Sequence, residues 1–229
     1  MLVDNNNGTP SSEQGLSRRS FLHYSGVALA GAGLLVACKD NDGPMNPVEG
    51  EVNLGLGDIG ILNYAYALEQ LEAAFYIMVA QSTVQGVTAA EMALLADIRD
   101  HEIAHREFFK NALGSQAIPA LTFDFSSVDF TKRDAVLGTA KVFEDLGVSA
   151  YNGAGRLITS PDYLVLAGKI VSVEARHAAF IRDLISNGSF ADNTVVDANG
   201  LDKSRTPAEV LGMAAGFVKN NINFSGLPK

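Results

Sequence analysis

Two short segments of this chain each place a glutamate and a histidine three residues apart. The pairs are Glu102 with His105 and Glu174 with His177. Because positions i and i+3 lie on one face of an α-helix, each pair can direct a carboxylate and an imidazole at a single centre. Two such pairs restrict the chain to a helical fold in which these two faces meet.

A further glutamate precedes each pair at a similar distance along the chain. Glu69 precedes Glu102 by 33 residues, and Glu144 precedes Glu174 by 30. Either interval fits one helix, a turn, and the same level of the next helix. Apolar residues at three- and four-residue steps around Glu69 place this carboxylate on the core-facing stripe of its helix. The sequence therefore predicts two helical hairpins that direct four carboxylates and two imidazoles inward.

Periodicity and capping signals predict where the helices begin and end. The four long helices are predicted over residues 58–82, 88–113, 132–159 and 161–187. Thr88 with Glu91 predicts a capping box, and Ser160 followed by Pro161 predicts an N-cap with proline at the first helical position. In each predicted hairpin, a capping signal thus marks where the second helix begins.

The segments outside the hairpins carry different signals. Residues 115–131 contain Pro119 and alternate apolar with polar residues, which predicts one long, extended connection between the second and third helices. Thr206 followed by Pro207 predicts the start of a short fifth helix that ends near Val218. We therefore divide the chain into an export signal (1–37), a polar tether (38–53), a four-helix bundle (54–187) and a C-terminal extension with a short helix (188–229).

The order Glu, Glu-x-x-His, Glu, Glu-x-x-His resembles the pattern of the ferritin-like di-iron and di-manganese carboxylate proteins, which are all-α four-helix bundles. More narrowly, the chain is similar to the exported bacterial ferritin-like domain proteins, which include desiccation-related ones. The predicted metal-binding residues are Glu69, Glu102, His105, Glu144, Glu174 and His177. The resemblance implies that Glu102 and Glu174 bridge two metals, and that the other glutamate and the histidine of each half complete one position each.

Charge balance gives a physical reason for such a pattern. Four converging carboxylates would repel one another in a buried site, and two divalent cations would neutralise them. Oxygen-rich ligation with one imidazole per metal suits iron or manganese better than copper or thiolate-bound zinc. The expected cofactors are therefore two iron or manganese ions, and the ligand set is also compatible with zinc.

Neighbouring residues compete for the same roles. Glu72 lies one turn from Glu69, but its counterpart in the second half of the pattern is Gly147, so Glu69 is the preferred ligand. The counterpart of His101 is Val173, so His101 is expected to be exposed or to contact a ligand rather than bind metal itself. This preference assumes that a metal ligand in one half of the pattern has an equivalent residue in the other half.

Two tyrosines also share the repeat. Tyr76 and Tyr151 each follow one of the upstream glutamates by seven residues and lie on the same helical face. We interpret them first as core residues, with hydrogen bonding near the metals or electron transfer as the alternatives.

The N-terminal region predicts export and a lipid anchor. Ser17-Arg18-Arg19-Ser20-Phe21-Leu22 resembles a twin-arginine signal, and Leu35-Val36-Ala37-Cys38 resembles a lipoprotein box. We expect lipidation of Cys38 and attachment to a membrane of the bacterial cell envelope. The net charge of -9 disfavours nucleic acid as a partner. The sequence is compatible with a homo-oligomer.

Three functions fit these observations. The first is redox handling of oxygen, peroxide or ferrous iron by the metal pair. The second is a non-catalytic bundle that metals stabilise, with a structural or stress-protective role. The third is a zinc protease, because residues 101–105 also match the H-E-x-x-H motif. The protease hypothesis leaves Glu69, Glu144 and the second Glu-x-x-His pair unexplained.

Overall fold

The computed structural model of the chain describes residues 50–229. Its helices are α1 (Gly57–Gln81), α2 (Ala89–Leu113), α3 (Arg133–Gly155), α4 (Pro161–Ile185) and α5 (Pro207–Ala214), with short strands β1 (Glu51–Asn53) and β2 (Asn221–Asn223). The all-α class and the short C-terminal helix are confirmed. The twin-arginine and lipoprotein motifs lie outside the described residues. None of the helices within residues 50–229 is both long and apolar enough to cross a membrane.

The predicted capping signals begin their helices. The Thr88 hydroxyl accepts a hydrogen bond from the Glu91 backbone N–H at 3.2 Å, and the Glu91 carboxylate accepts one from the Thr88 N–H at 2.8 Å. Ser160 caps α4, with Pro161 at its first position, and a second capping box begins α5. These caps satisfy backbone donors that have no partner within a helix.

The long helices pack as two hairpins, α1 with α2 and α3 with α4, and α1 also contacts α3. Helix α1 is buried along most of its length, and the Phe75 and Tyr76 side chains have no solvent exposure. Helices α2 and α4 bury narrower stripes. Helices α1 and α3 therefore contribute most of the buried interior, and α2 and α4 each pack one narrower face against it.

Two buried amides on α1 hold the connection between the hairpins. The Asn63 carboxamide donates to the Gln116 carbonyl and accepts from the Ile118 N–H, both at 2.9 Å. The Gln70 carbonyl oxygen accepts from the Leu121 N–H at 2.8 Å. These bonds pair the backbone of an irregular segment that crosses a buried helix, as buried peptide groups require.

An aromatic cluster joins this connection to the bundle and to the C-terminal segment. The Phe75 and Phe143 rings meet edge to face, with centroids 5.2 Å apart, and Phe125 and Phe217 pack beside them. The Phe217 carbonyl accepts a hydrogen bond from the Asp124 N–H at 2.8 Å. Because Phe217 pairs with the connection, α5 ends at Ala214 and not near Val218 as predicted.

Strands β1 and β2 form a parallel pair that sequence analysis did not predict. Val52 pairs with Ile222, so the chain before the bundle is held against the C-terminal segment. Helix α3 also ends earlier than predicted, at Gly155, and Asp58 of α1 accepts hydrogen bonds from Thr159 and Ser160 in the following turn. Both features join parts of the chain that are far apart in sequence.

Candidate metal centre

The structure brings all six predicted ligand residues together inside the bundle. Two overlapping groups have ligand atoms within 4.8 Å of one another: Glu69, Glu102, His105 and Glu174 form the first, and Glu102, Glu144, Glu174 and His177 form the second. Glu102 and Glu174 belong to both groups. This is the arrangement in which two ions would share two carboxylates, and metal ligation by the six residues stays a prediction.

Each long helix contributes to the cluster from its buried stripe. Helices α1 and α3 supply one glutamate each, and α2 and α4 supply the two Glu-x-x-His pairs. All four carboxylates are buried, with at most 1% exposure. The i, i+3 spacing on α2 and α4 keeps the glutamate and histidine of each pair on one helical face.

The Nδ1 atom of each imidazole faces the carboxylates. His105 Nδ1 lies 2.7 Å from Glu174 Oε1, and His177 Nδ1 lies 2.9 Å from Glu102 Oε1. A distance of 3.5 Å separates each Nδ1 from the nearer oxygen of the α1 or α3 glutamate. Each histidine therefore directs one defined nitrogen toward oxygens from three helices.

Unpaired polar atoms are concentrated in this cluster. Among the described residues, seven buried side-chain nitrogen or oxygen atoms lack a hydrogen-bond partner, and six belong to the cluster. His105 Nδ1 is one of them, although Glu174 Oε1 is only 2.7 Å away. Buried oxygen and nitrogen atoms that lie close together without hydrogen bonding can all bind the same cation. Their lack of hydrogen-bond partners is consistent with metal ligation, since buried polar groups otherwise find such partners.

The pKa values of the histidines and of Glu102 differ strongly from those of the same side chains in water. Burial alone would lower the pKa of the two imidazoles, but the close, negatively charged glutamates outweigh it and raise the pKa of His105 and of His177 to about 12. Burial would raise the pKa of Glu102, but the close, positively charged imidazoles of both histidines lower it to about 2. Glu102 is thus a carboxylate held between two imidazolium groups.

The glutamates of α1 and α3 behave in the opposite way. Burial, reinforced by the Glu174 charge, raises the pKa of Glu69 well above its ordinary value. Burial also raises the pKa of Glu144 to about 8, although the nearby His177 imidazole opposes the shift. Without cations, these two groups hold protons near neutral pH because burial disfavours their charged forms.

Residues 57–187 match the family described as Ferritin-like domain. The chain belongs to this ferritin-like family. No curated protein matches the chain. The matched range contains α1 to α4 and all six clustered residues, so the family assignment and the buried cluster concern the same part of the chain.

Two tyrosines of the ferritin-like domain bind glutamates across the bundle. The Tyr76 hydroxyl donates to Glu144 Oε1 at 2.5 Å, and the Tyr151 hydroxyl donates to Glu69 Oε1. Burial and the adjacent carboxylate raise the pKa of both phenols well above the ordinary value, so both remain donors. Our first interpretation of these residues as core packing is incomplete. Their position seven residues after each upstream glutamate was the signal for the hydrogen bonds.

His101 contacts a predicted ligand and belongs to neither group. Its Nδ1 lies 2.9 Å from His177 Nε2, and the side chain is exposed on the other side. The zinc-protease alternative needs His101 and His105 on one ion, and among residues 50–229 no candidate metal group contains His101. The geometry therefore does not support that alternative.

Glu72 is a fifth buried carboxyl group near the cluster. Only 4% of the residue is exposed, and burial and the neighbouring glutamates raise its pKa well above the ordinary value. It belongs to neither candidate group. A Cβ atom at Gly147 would lie 3.0 Å from Glu72 Oε1. The glycine counterpart of Glu72 in the repeat is therefore the residue that leaves space for its carboxyl group.

Proposed function

We propose that this ferritin-like protein binds two divalent iron or manganese ions and uses them for redox handling of oxygen, peroxide or ferrous iron. The observation that carries the proposal is the pair of four-residue groups that share Glu102 and Glu174. Each group offers one imidazole and three carboxylates, a donor set that suits iron or manganese. When bound, such ions supply electrons for reactions of oxygen or peroxide.

The residues of the chain have defined roles in this proposal. Glu69 and His105 would complete one metal position, and Glu144 and His177 the other. Tyr151 and Tyr76 hold the carboxylates of α1 and α3 through their hydroxyl groups, which limits the rotation of these side chains. The buried walls exclude bulk water from all four glutamates.

A second candidate function is a metal-stabilised bundle without catalysis. The unpaired buried carboxylate oxygens support it, because cations that neutralise them would stabilise the fold whether or not a reaction occurs. Turnover separates the two candidates. After anaerobic loading with ferrous iron, the protein should consume oxygen or peroxide over many cycles if the first is correct, provided that excess ferrous iron is present as the reductant. Tight metal binding with a single oxidation event would support the second.

Metal binding itself is tested with two substitutions on one helix. Glu69→Gln and Glu72→Gln each replace a buried carboxyl group of α1 with an amide, and only Glu69 belongs to a candidate group. We expect about two metal equivalents in the wild type and in Glu72→Gln, and about one or fewer in Glu69→Gln. Loss on Glu72→Gln with full retention on Glu69→Gln would contradict the ligand assignment.

We also propose that the protein is exported and anchored to the cell envelope through a lipidated Cys38. Support comes from the twin-arginine-like segment 17–22 and the lipoprotein-like segment 35–38. Twin-arginine export carries folded proteins, which suits a domain that must acquire its metals before it leaves the cytoplasm.

A further inference from the structure

His101 and His177 form an edge-to-edge pair of imidazoles between α2 and α4. Their nitrogens are 2.9 Å apart, the ring centroids are 5.2 Å apart, and the ring planes differ by 9°. The centroid separation is close to the nitrogen–nitrogen distance plus one ring radius at each end. The rings therefore lie side by side in nearly one plane, and the contact is a well-aligned hydrogen bond between His101 Nδ1 and His177 Nε2.

The direction of this hydrogen bond follows from the other nitrogen of His177. The Nδ1 atom faces Glu102, Glu144 and Glu174, so it is the nitrogen available to a metal ion. Because metal binding uses a nitrogen lone pair, the remaining proton of the imidazole must be on Nε2. His177 then donates and His101 accepts. This places the His101 proton on its own Nε2.

The other candidate ligand histidine has no such partner. Within residues 50–229, no side chain or carbonyl forms a hydrogen bond with His105 Nε2. The His105 side chain is 14% exposed, compared with 6% for His177. In the repeat, Val173 replaces His101, and valine offers no acceptor. The two metal positions of the cluster therefore differ in the support given to their imidazoles.

We propose that His101 is a positioning residue that fixes the tautomer and ring orientation of His177, and so makes the metal position at His177 tighter than the one at His105. The inference rests on the proposed function, since it concerns ions bound by this cluster. Hydrogen-bonding partners of a ligand histidine orient the ring, and their loss typically weakens metal binding about 10- to 100-fold. The ion at His105 is accordingly the more exchangeable of the two.

Stepwise loading of the full chain with cobalt(II), after removal of metals, tests this inference. Calorimetry and visible absorption should show two steps in the wild type. His101→Leu removes the acceptor and should weaken only the tighter step, by about 10- to 100-fold. His101→Gln keeps an oxygen acceptor and should restore most of the affinity. Val173→Ala, at the equivalent position of the other half, should leave both steps unchanged.

Proton magnetic resonance of the cobalt-loaded protein gives a second readout that a merely structural role would not change. The Nε2–H of a cobalt-bound histidine has a strongly shifted, exchangeable signal. The His177 signal should be protected from solvent exchange in the wild type and in His101→Gln, and should exchange faster in His101→Leu. The melting temperature of the metal-free protein should be similar in all three.

The outcomes separate the inference from the function on which it rests. If the wild type binds no cobalt in the cluster, the proposed function is wrong. If two ions bind and His101→Leu leaves both steps unchanged, or weakens both equally, His101 does not position His177. Equal affinities of the two steps in the wild type would also overturn the inference.

Discussion

Loading the cluster with divalent metal should release protons, and the structure gives their number. At pH 7, His105 and His177 are protonated because their pKa is about 12. Glu69, with its pKa raised well above the ordinary value, and Glu144, with a pKa of about 8, also hold protons. Each must lose its proton to bind a metal ion through the atom that faces the cluster. We therefore expect the release of about four protons when two ions bind. The four positive charges of the two divalent ions then replace the four positive charges of the released protons.

This number makes metal loading steeply dependent on pH. Each released proton changes the free energy of loading by about 1.4 kcal/mol per pH unit, so four give about 5 kcal/mol per unit near pH 7. The sign follows from mass action: loading weakens as pH falls, because protons compete for the same atoms. Above pH 8 the dependence should become less steep, since Glu144 is then already ionised.

Calorimetry in buffers of different ionisation enthalpy measures the proton number directly. The slope of observed enthalpy against buffer enthalpy equals the protons released. At saturating manganese(II), Glu144→Gln should release about two protons, because the metal position that Glu144 and His177 complete is lost and only Glu69 and His105 still give up protons. Glu72→Gln is the matched control and should still release about four, since Glu72 belongs to neither candidate group. Release of one proton or none by the wild type would refute the charge distribution that we describe.

Three other perturbations test the fold, the linkage and the anchor. Chelation should lower the melting temperature more at pH 8 than at pH 5. The folded pKa of Glu144 is about 8, above its ordinary value of 4.5, so the metal-free protein loses a stabilising proton as pH rises between these values. An equal loss at both pH values would count against this. Gly153→Ala should destabilise the protein by about 1–3 kcal/mol in chemical unfolding, because its Cβ would lie 1.7 Å from a carbonyl oxygen of the C-terminal segment. Gly138→Ala in the same helix is the control. Its Cβ would meet nothing within 4 Å, so this substitution should be neutral or stabilising. Cys38→Ala should release the protein from the membrane fraction or block its processing, and unchanged fractionation would contradict lipidation.

Local signals explain why much of the bundle could be predicted from sequence. Thr88 with Glu91 and Thr206 with Glu209 encode their helix starts within four residues, and the structure contains both capping boxes. The grouping of the six polar residues also follows from short-range information. An i, i+3 spacing fixes a helical face, and matched intervals place the faces of successive helices at one level.

The features that were missed depend on contacts between distant parts of the chain. The pairing of Val52 with Ile222 joins segments whose sequences carry no strong strand signal. Asn63 holds the connection between the hairpins through a buried carboxamide, and nothing local in the sequence identifies its partners. The hydrogen bond between His101 and His177 depends on how α2 lies beside α4. Periodicity indicates which face of a helix is buried, but not which side chains of another helix it meets.

The central claim is that two metal ions share Glu102 and Glu174 inside the bundle. Anomalous diffraction at the iron or manganese absorption edge, from crystals of metal-loaded protein, tests it most directly. We predict two peaks about 3.5–4 Å apart, the usual separation in two-metal sites, with one beside His105 and the other beside His177. A single peak, or a peak held by His101 and His105 without a glutamate from α1 or α3, would contradict the account.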